Sequence, residues 1–220
     1  MRGFTLIELL VALCIASIAI AGGLTGMARV LEAWHLTQVD ERLHERALYV
    51  FATLEPELQM AGFFGSGPAP GWAPASIPPP SLAGCGLTLP RLDAGIEAYT
   101  TAWPLACAAQ GGGMVAGGTV LIVRRATANA TTPEPGRVQL LDSEAVPGLR
   151  QLRWDGATPT GAATPPDLLW RDLLLRTYYI ARAADEDAAT PALRVKSLTA
   201  VAGRPAYVDT EVMPGVANLS

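Results

Sequence analysis

The stretch Met1-Arg2-Gly3-Phe4-Thr5-Leu6-Ile7-Glu8-Leu9-Leu10 decides the fold, because one carboxylate stands at the head of a long apolar run. No charged residue follows between Leu9 and Ala28. About 20 helical residues rise about 30 Å, which is the thickness of the hydrocarbon layer of a bilayer. An unpaired carboxylate in lipid costs about 3 kcal/mol, so the position of Glu8 indicates a partner for its charge.

Three common kinds of exported or anchored segment account for this run only in part. An ordinary secretory signal would use Arg2 as its charged region and residues 19–21 as its cleavage site, but Glu8 would then lie inside its apolar core. A lipoprotein signal at Cys14 is disfavoured by the bulky Leu13 before it. A plain single-pass anchor explains the length of the run and leaves the order Gly-Phe-x-x-x-Glu unexplained.

Residues 3–10 (G-F-T-L-I-E-L-L) resemble the class III signal of type IV pilins and of type II secretion pseudopilins in residue order, spacing and position. The resemblance implies that a prepilin peptidase cuts between Gly3 and Phe4, so that residues 1–3 form a leader peptide, and that the new amine of Phe4 is N-methylated. It also implies that Glu8 pairs with the Phe4 amine of a neighbouring subunit during filament assembly. The leader is very short, with one positive charge, which departs from the pattern and leaves the position of the start codon open.

The composition predicts one folded domain beyond the amino-terminal helix. The chain has 220 residues, of which 50% are hydrophobic, and a net charge of −4. About 160 residues outside the helix suffice for a domain with its own core. The acidic balance argues against a protein that coats a polyanion, so a nucleic acid partner is not indicated.

The three cysteines fall in two different settings. Cys14 lies in the apolar run and is expected to behave as a small hydrophobic residue. Cys85 and Cys107 lie in the part expected to be periplasmic, where disulfides persist. A bridge between them would close a loop of about 22 residues and stabilise the domain by about 3 kcal/mol in the chain-entropy model. We favour this disulfide over two unpaired thiols, although the sequence alone leaves both open.

An amphipathic pattern continues the apolar run. Apolar residues recur at intervals of three or four, which indicates one stripe along a helix; they are Leu36, Val39, Leu43, Ala47, Val50, Leu54, Leu58 and Ala61. The sequence therefore predicts one helix from Phe4 to about Ala61. Residues 4–28 would be its transmembrane and filament-core segment, and residues 29–61 its amphipathic continuation.

Glycine and proline modify this helix. Gly22, Gly23 and Gly26 weaken its middle by up to about 1 kcal/mol each relative to alanine. The resemblance implies a stretch that melts on assembly, and close packing between membrane helices is the alternative. Pro56 is expected to kink the last turns, and Gly62 is a natural stop.

The remainder of the chain divides into a Gly/Pro-rich loop region at residues 62–118 and a β-rich globular head at residues 119–220. Segments suited to strands run over residues 119–124, 137–141, 149–154, 173–181 and 193–201. A helix followed by a run of strands predicts an α+β fold in which the helix packs on a mainly antiparallel sheet. That arrangement resembles the one of type IV pilins.

Internal stretches narrow the resemblance to the PilW family of minor pilins. Residues 54–65 (L-E-P-E-L-Q-M-A-G-F-F-G) resemble the segment that closes their long helix. Residues 177–181 and 191–193 resemble their Y-Y-I/V-A strand and following P-x-L, and residues 211–219 resemble their E-L-V-E-G-V-E-N-L stretch. The helix segment has a proline where a charged residue is expected, and the chain stops where relatives usually continue with another strand.

No motif in the sequence predicts catalysis, a metal or a cofactor. His35 and His44 stand on opposite sides of a helix and are not expected to share a metal. Residues 111–116 satisfy G-x-G-x-x-A but precede a strand instead of opening a helix, so a glycine-rich loop is the better interpretation. Residues 185–187 (D-E-D) lack the spacing of a calcium loop and are interpreted as a solvated turn. Ser66 has no strand before it and is not a nucleophile elbow.

Taken with the resemblance, these features predict a minor pilin, a structural subunit for type IV pilus assembly that serves twitching motility, adhesion or DNA uptake. The resemblance implies partners in the prepilin peptidase, other major and minor pilins, the inner-membrane assembly platform and, through the helix, membrane lipid. It places the chain in the bacterial inner membrane as a single-pass protein with a periplasmic head, and then at the base or tip of a pilus. Two alternatives stay open: a J-like minor pseudopilin of type II secretion, and a single-pass periplasmic binding or adhesion module.

Overall fold

The computed structural model describes residues 6–65, 85, 94–100, 102–146, 150–161 and 164–219. The chain divides into two compact units, Met1–Phe51 and Ala52–Ser220. Every described residue of the first unit is helical. The second unit, which we call the head, combines the last turns of that helix with a β-sheet.

One helix, α1, runs over Leu6–Gln59, and the prediction of a single long helix is confirmed. Pro56 lies inside it, and the N–H of Met60 still donates to the carbonyl of Pro56 at 3.2 Å. The helix ends before Gly62, which has a φ of 78° and suits the left-handed conformation that commonly ends helices. The N–H of Gly62 donates to the carbonyl of Arg124 at 2.9 Å, so the chain leaving α1 is bonded directly to the sheet.

Seven strands of the described chain form one antiparallel sheet in the head. They are β1 Ile96–Tyr99, β2 Val120–Ala126, β3 Gln139–Ser143, β4 Arg150–Arg153, β5 Leu168–Ala181, β6 Ala192–Val201 and β7 Arg204–Pro214. The order is β1-β2-β5-β3-β4, and β6 pairs with β5 and with β7. β5 is shared between neighbours: residues 168–172 pair with β3 and residues 176–181 pair with β6. The α+β class and the type IV pilin-like arrangement are confirmed.

The core lies on both faces of β5. On one face, Leu173 and Leu175 pack with buried residues of β2, β3, β4 and β6 and with Phe64. Farther along the same face, Tyr179 packs with buried residues of β2. On the opposite face, Tyr178 and Ile180 are also buried. A strand that is buried on both faces needs a nearly continuous apolar sequence, and the second half of β5 supplies one.

The five predicted strands correspond to β2–β6, with shifted ends. β3 begins two residues later than predicted, because the N–H of Arg137 bonds back to the carbonyl of Glu134 in a turn. In the predicted strand at residues 149–154, Arg150–Arg153 is the part in the sheet, and Leu149 lies outside the described residues.

Sequence reasoning missed β1 and β7. β1 has four residues and lies inside the region predicted to be a Gly/Pro-rich loop; most of the earlier part of that region, residues 66–84 and 86–93, lies outside the described residues. β7 carries Asp209 and Glu211, which hide its apolar pattern. A turn signal was present, since β6 and β7 are joined by Ala202 and Gly203 at φ of 50° and 71°. Two-residue hairpin turns of this kind favour glycine because both positions need a positive φ.

Candidate functional site

The amino-terminal half of α1 is the first candidate site. Within the part of the chain that the structure describes, α1 is the one helix long and apolar enough to cross a membrane. Its large apolar side chains, among them Leu6, Ile18 and Met27, are exposed. A largely apolar surface of this length is stable in lipid and costly in water. Gly3 and Phe4, the residues predicted for cleavage and N-methylation, lie outside the described residues.

Glu8 lies in the first turn of α1 and is exposed on the helix surface. Its neighbours on this surface are the apolar side chains of Ile7, Val11, Ala12 and Ile15. The partial positive charge at a helix amino terminus favours a carboxylate in the first turn. The arrangement presents one negative charge at a fixed position on an otherwise apolar surface, which suits recognition of a cationic group.

The polar side chains farther along this segment are satisfied inside the helix. Ser17 Oγ donates to the carbonyl of Cys14, and Thr25 Oγ1 donates to the carbonyl of Gly22, each at 2.9 Å. Such bonds to the preceding turn let hydroxyl groups enter an apolar environment without an unmet donor. Apart from the chain neighbours and the adjacent backbone of α1, no atom of the described residues lies within 4 Å of a Cβ placed on Gly22, Gly23 or Gly26. No described contact within the chain therefore requires glycine at these positions.

In the head, Cys85 and Cys107 are joined in a disulfide, with Cα atoms 4.2 Å apart. The segment around Cys107 is also attached to the sheet without the bridge. The ring of Trp103 meets the ring of Tyr179 edge-on, with centroids 4.9 Å apart. The N–H of Gln110 donates to the Tyr179 hydroxyl at 2.9 Å. The bridge therefore fastens Cys85 to a segment that β5 already holds.

The glycine run at residues 111–113 closes onto the end of β5. Gly111, Gly112 and Gly113 have φ of 61°, 72° and 90°, and the carbonyls of Gly111 and Gly113 accept from the N–H groups of Ala183 and Arg182. A Cβ on Gly111 would lie 2.6 Å from the carbonyl oxygen of Ala183, so this position excludes larger residues. In the described chain the run is followed by β2 and not by a helix, which fits a structural loop and not a dinucleotide fingerprint.

A buried ionic cluster, centred on Asp209 of β7, lies beside this loop. The Asp209 carboxylate accepts hydrogen bonds from Tyr179 Oη at 2.7 Å and from Arg194 Nε at 2.9 Å, and it lies 3.2 Å from Lys196 Nζ. The side chains of Asp209, Arg194 and Lys196 are only 1%, 3% and 5% exposed. Lys196 Nζ also donates to the carbonyl of Ala108 at 2.9 Å, so the cluster holds the disulfide segment on the sheet. We name these four residues, Tyr179, Arg194, Lys196 and Asp209, the Asp209 cluster.

The turn at residues 185–187 belongs to the edge of this cluster. Asp185 pairs with Arg194, and the N–H of Asp185 donates to a carboxylate oxygen of Glu211 at 2.6 Å. Asp187 accepts from the hydroxyl of Thr190.

His35 and His44 are exposed on α1. Among the described residues, no group of three or more His, Cys, Asp or Glu side chains is placed to hold a metal ion.

A second buried ionic cluster fixes the end of α1 to the sheet. Glu57 is 5% exposed, and its carboxylate accepts from Arg125 Nε at 3.0 Å and from Arg125 Nη2 at 2.8 Å. Arg176 of β5 also donates to it. The hydrogen bond that Arg125 donates to Glu57 is the main cause that raises the pKa of Arg125. Leu58, which the apolar stripe predicted to be buried, is instead 39% exposed.

Burial raises the pKa of three tyrosines of the head, Tyr178, Tyr179 and Tyr207. It raises the pKa of Tyr207 to about 12 and, together with the hydrogen bond to Asp209, raises the pKa of Tyr179 above its ordinary value. Burial also raises the pKa of Tyr178. All three shifts favour the neutral phenol in the folded head.

We therefore expect the head to lose stability at alkaline pH. Above about pH 10 the unfolded chain ionises Tyr207 while the folded head keeps it protonated, so the unfolded state binds fewer protons and the free energy of unfolding falls as pH rises. For Tyr207 alone the loss is about 1.4 kcal/mol at pH 11. Chemical denaturation of the full chain at about pH 8 and pH 11 measures it. Tyr207→Phe should show a smaller fall than the natural chain, and equal falls would contradict the assignment.

The comparisons with known proteins bear on the amino terminus. Residues 1–24 match the family model described as the prokaryotic N-terminal methylation motif. None of the curated proteins and none of the solved structures matches the chain. The motif supports a type IV pilin-like or pseudopilin-like subunit and thereby favours a structural role. It implies processing by a prepilin peptidase and assembly with other pilins, and together with the apolar helix it fits a membrane-anchored pilin.

Proposed function

We propose that the chain is a minor pilin of the PilW family, a structural subunit that primes or joins a type IV pilus. The observation that carries the proposal is the methylation motif over residues 1–24 on a helix that can cross a membrane, with Glu8 exposed in its first turn. The apolar helix would hold the subunit in the inner membrane until extrusion. The head would then lie on the periplasmic side, where its disulfide is stable.

Assembly would use two charges. Processing creates one, the amine of Phe4, and leaves the other, the carboxylate of Glu8, in place. Cleavage after Gly3 frees the amine of Phe4, and Glu8 offers a carboxylate on the apolar surface of the same helix. In lipid, the pairing of these groups between neighbouring subunits would remove the cost of each isolated charge. A buried ion pair adds little net stability relative to apolar packing, so its main contribution would be the register of one helix against the next.

The internal motifs support the PilW assignment through their positions in the head. Residues 54–65 close α1, with Gly62 at the turn and Phe64 in the core. Tyr178 and Tyr179 lie at the buried centre of the sheet. A J-like pseudopilin would share the signal and the architecture, and complementation of a pilus mutant against a type II secretion mutant distinguishes the two.

Intact mass of the membrane-extracted protein tests the processing step. In cells with the prepilin peptidase we expect loss of residues 1–3 and gain of one methyl group, and in cells without the peptidase we expect the full chain. The physical reason is that such a peptidase recognises the class III signal and cuts the chain after Gly3. Cleavage near residue 21, or the same mass in both strains, would contradict the pilin assignment and favour an exported or anchored domain.

Substitution of Glu8 tests the assembly step. In Glu8→Val the apolar surface is continuous, so we expect normal processing and membrane insertion but surface pili reduced by about tenfold or more, because helices would lack the charge that sets their register. Glu32→Val is the matched control, since Glu32 is exposed on the same helix beyond the apolar run. Normal piliation in the Glu8 variant would exclude the assembly role and favour the adhesion-module alternative.

A further inference from the structure

The uncharged part of α1 ends at one cation, Arg29. Between residues 3 and 41 no other lysine or arginine occurs, and Arg29 is exposed on the helix. From Glu8 to Arg29 the helix rises about 32 Å, which is close to the thickness of the hydrocarbon layer of a bilayer. When Glu8 lies at one boundary of that layer, Arg29 therefore lies at the other.

A tryptophan follows Arg29 on the same helix. Trp34 is 60% exposed, and no other Phe, Tyr or Trp occurs between residues 5 and 48. It lies about 7.5 Å beyond Arg29 along the helix axis, and the polar layer on each side of a bilayer is about 5–8 Å thick. Tryptophan favours this layer, because its ring is apolar and its N–H can donate to polar groups.

The two faces of the helix differ at this level. Met27, Leu31 and Trp34 share one face at intervals of four and three, so they extend the apolar surface past Arg29. Arg29 lies on the opposite face. Within the described residues its side chain has no salt bridge or hydrogen bond, although Glu32 stands one turn farther along. The guanidinium is therefore available to a partner outside the chain.

A phospholipid headgroup fits both side chains. A guanidinium offers five N–H donors in a planar fork that matches the oxygens of a phosphate, and the arginine stem can lie along apolar surface while its charged end reaches the polar layer. We propose that Arg29 and Trp34 form a lipid-headgroup anchor, in which Arg29 binds a phospholipid phosphate, Trp34 lies among the headgroups, and the two fix the depth of α1 in the bilayer. The inference rests on the proposed membrane span and deepens it by naming the lipid partner.

Depth-dependent quenching of tryptophan fluorescence tests the anchor. The full chain is reconstituted in phosphatidylglycerol vesicles whose acyl chains are brominated either near the headgroup or near the chain end. The difference between the natural chain and Trp34→Phe isolates the signal of Trp34, because the other tryptophans contribute to both. We expect the bromines near the headgroup to quench this signal by about twofold or more relative to the deep ones.

Two matched substitutions test the part played by Arg29. In Arg29→Gln the uncharged run reaches Leu31, so the helix can take several depths, and we expect the preference for shallow quenching to fall by about twofold. Arg42→Gln removes an exposed arginine about 20 Å farther along the same helix, beyond the polar layer, and should leave the preference unchanged. Unchanged circular dichroism of both variants establishes that the helix is retained.

Vesicles of a galactolipid with the same brominated chains test the phosphate itself. This lipid has no phosphate, so the natural chain should lose the shallow preference to the same extent as Arg29→Gln does in phospholipid. An unchanged preference in galactolipid would overturn the phosphate contact. Its recovery on addition of inorganic phosphate would assign the site to a free anion instead of a lipid.

A fluorophore on Cys14 separates failure of the anchor from failure of the membrane span. Cys14 is an exposed free thiol, whereas Cys85 and Cys107 are bridged, so a thiol reagent labels Cys14. This position lies about 9 Å from Glu8 inside the apolar run. Quenching of the label by deep bromines, without shallow quenching of Trp34 or with equal effects of the two arginine substitutions, would overturn the anchor alone. Absence of quenching at both positions would contradict the membrane span as well.

Discussion

Asp209→Asn is expected to destabilise the head by about 3–5 kcal/mol, because it removes a buried carboxylate that contacts two buried cations, Arg194 and Lys196. Arg194 and Lys196 are 3% and 5% exposed, so water does not replace the lost charge. Asn also replaces one acceptor oxygen with an amide N–H₂, from which neither Arg194 nor Lys196 can accept a hydrogen bond. In this variant the charge of Arg194 is still partly neutralised by the carboxylates of Asp185 and Glu211. Lys196 still donates a hydrogen bond to the carbonyl of Ala108.

Urea denaturation of the full chain in non-ionic detergent measures this loss, with hydrogen exchange in β6 and β7 as the local readout. Glu186→Gln is the matched control, since Glu186 is an exposed carboxylate in the adjoining turn, and its effect should stay within about 0.5 kcal/mol. A loss in Asp209→Asn no larger than that of the control would mean that the cluster contributes no stability. A double substitution with Lys196→Met should recover part of the loss, because one buried cation is then absent as well.

Glu57→Ala is expected to destabilise the head by about 3 kcal/mol and to release the last turns of α1. Its carboxylate receives two hydrogen bonds from Arg125, whose side chain is 14% exposed. Arg176 is more accessible to water, so its share of the effect is small. Without Glu57 the guanidinium of Arg125 would stay half-buried with no carboxylate at this position, and the helix end would lose its ionic contact with β2 and β5.

The matched control for this position is Glu55→Gln. Glu55 lies in the same turn, is exposed, and accepts a hydrogen bond from Gln59 Nε2 at 2.9 Å. Its replacement should cost less than about 0.5 kcal/mol. Hydrogen exchange of the amides at residues 54–59 should accelerate in the Glu57 variant and not in the Glu55 variant. Similar exchange in the two variants would show that apolar packing alone holds the helix end.

The two ionic clusters show why the sequence did not predict which charged residues are buried. The apolar stripe predicted Leu58 on the buried side of α1, yet Glu57 is the residue that the sheet covers. Its burial is favourable only because strands β2 and β5 place Arg125 and Arg176 opposite it, and those strands lie far away in the chain. Asp209 is similar: it is buried because the β6–β7 register sets it against Lys196.

The sequence by itself determined the features that depend on residues close together in the chain. The signal at residues 3–10, the apolar run, the continuous helix and its end at Gly62 depend on neighbours a few residues apart, and the dense strands β2, β5 and β6 depend on runs of apolar residues. The sequence favoured a bridge between Cys85 and Cys107 and left two free thiols open. Tertiary structure alone decided the strand order, the short strand β1 and the strand β7. These features depend on pairings between distant segments, whose energies come from register and burial and leave no periodic trace in either segment alone.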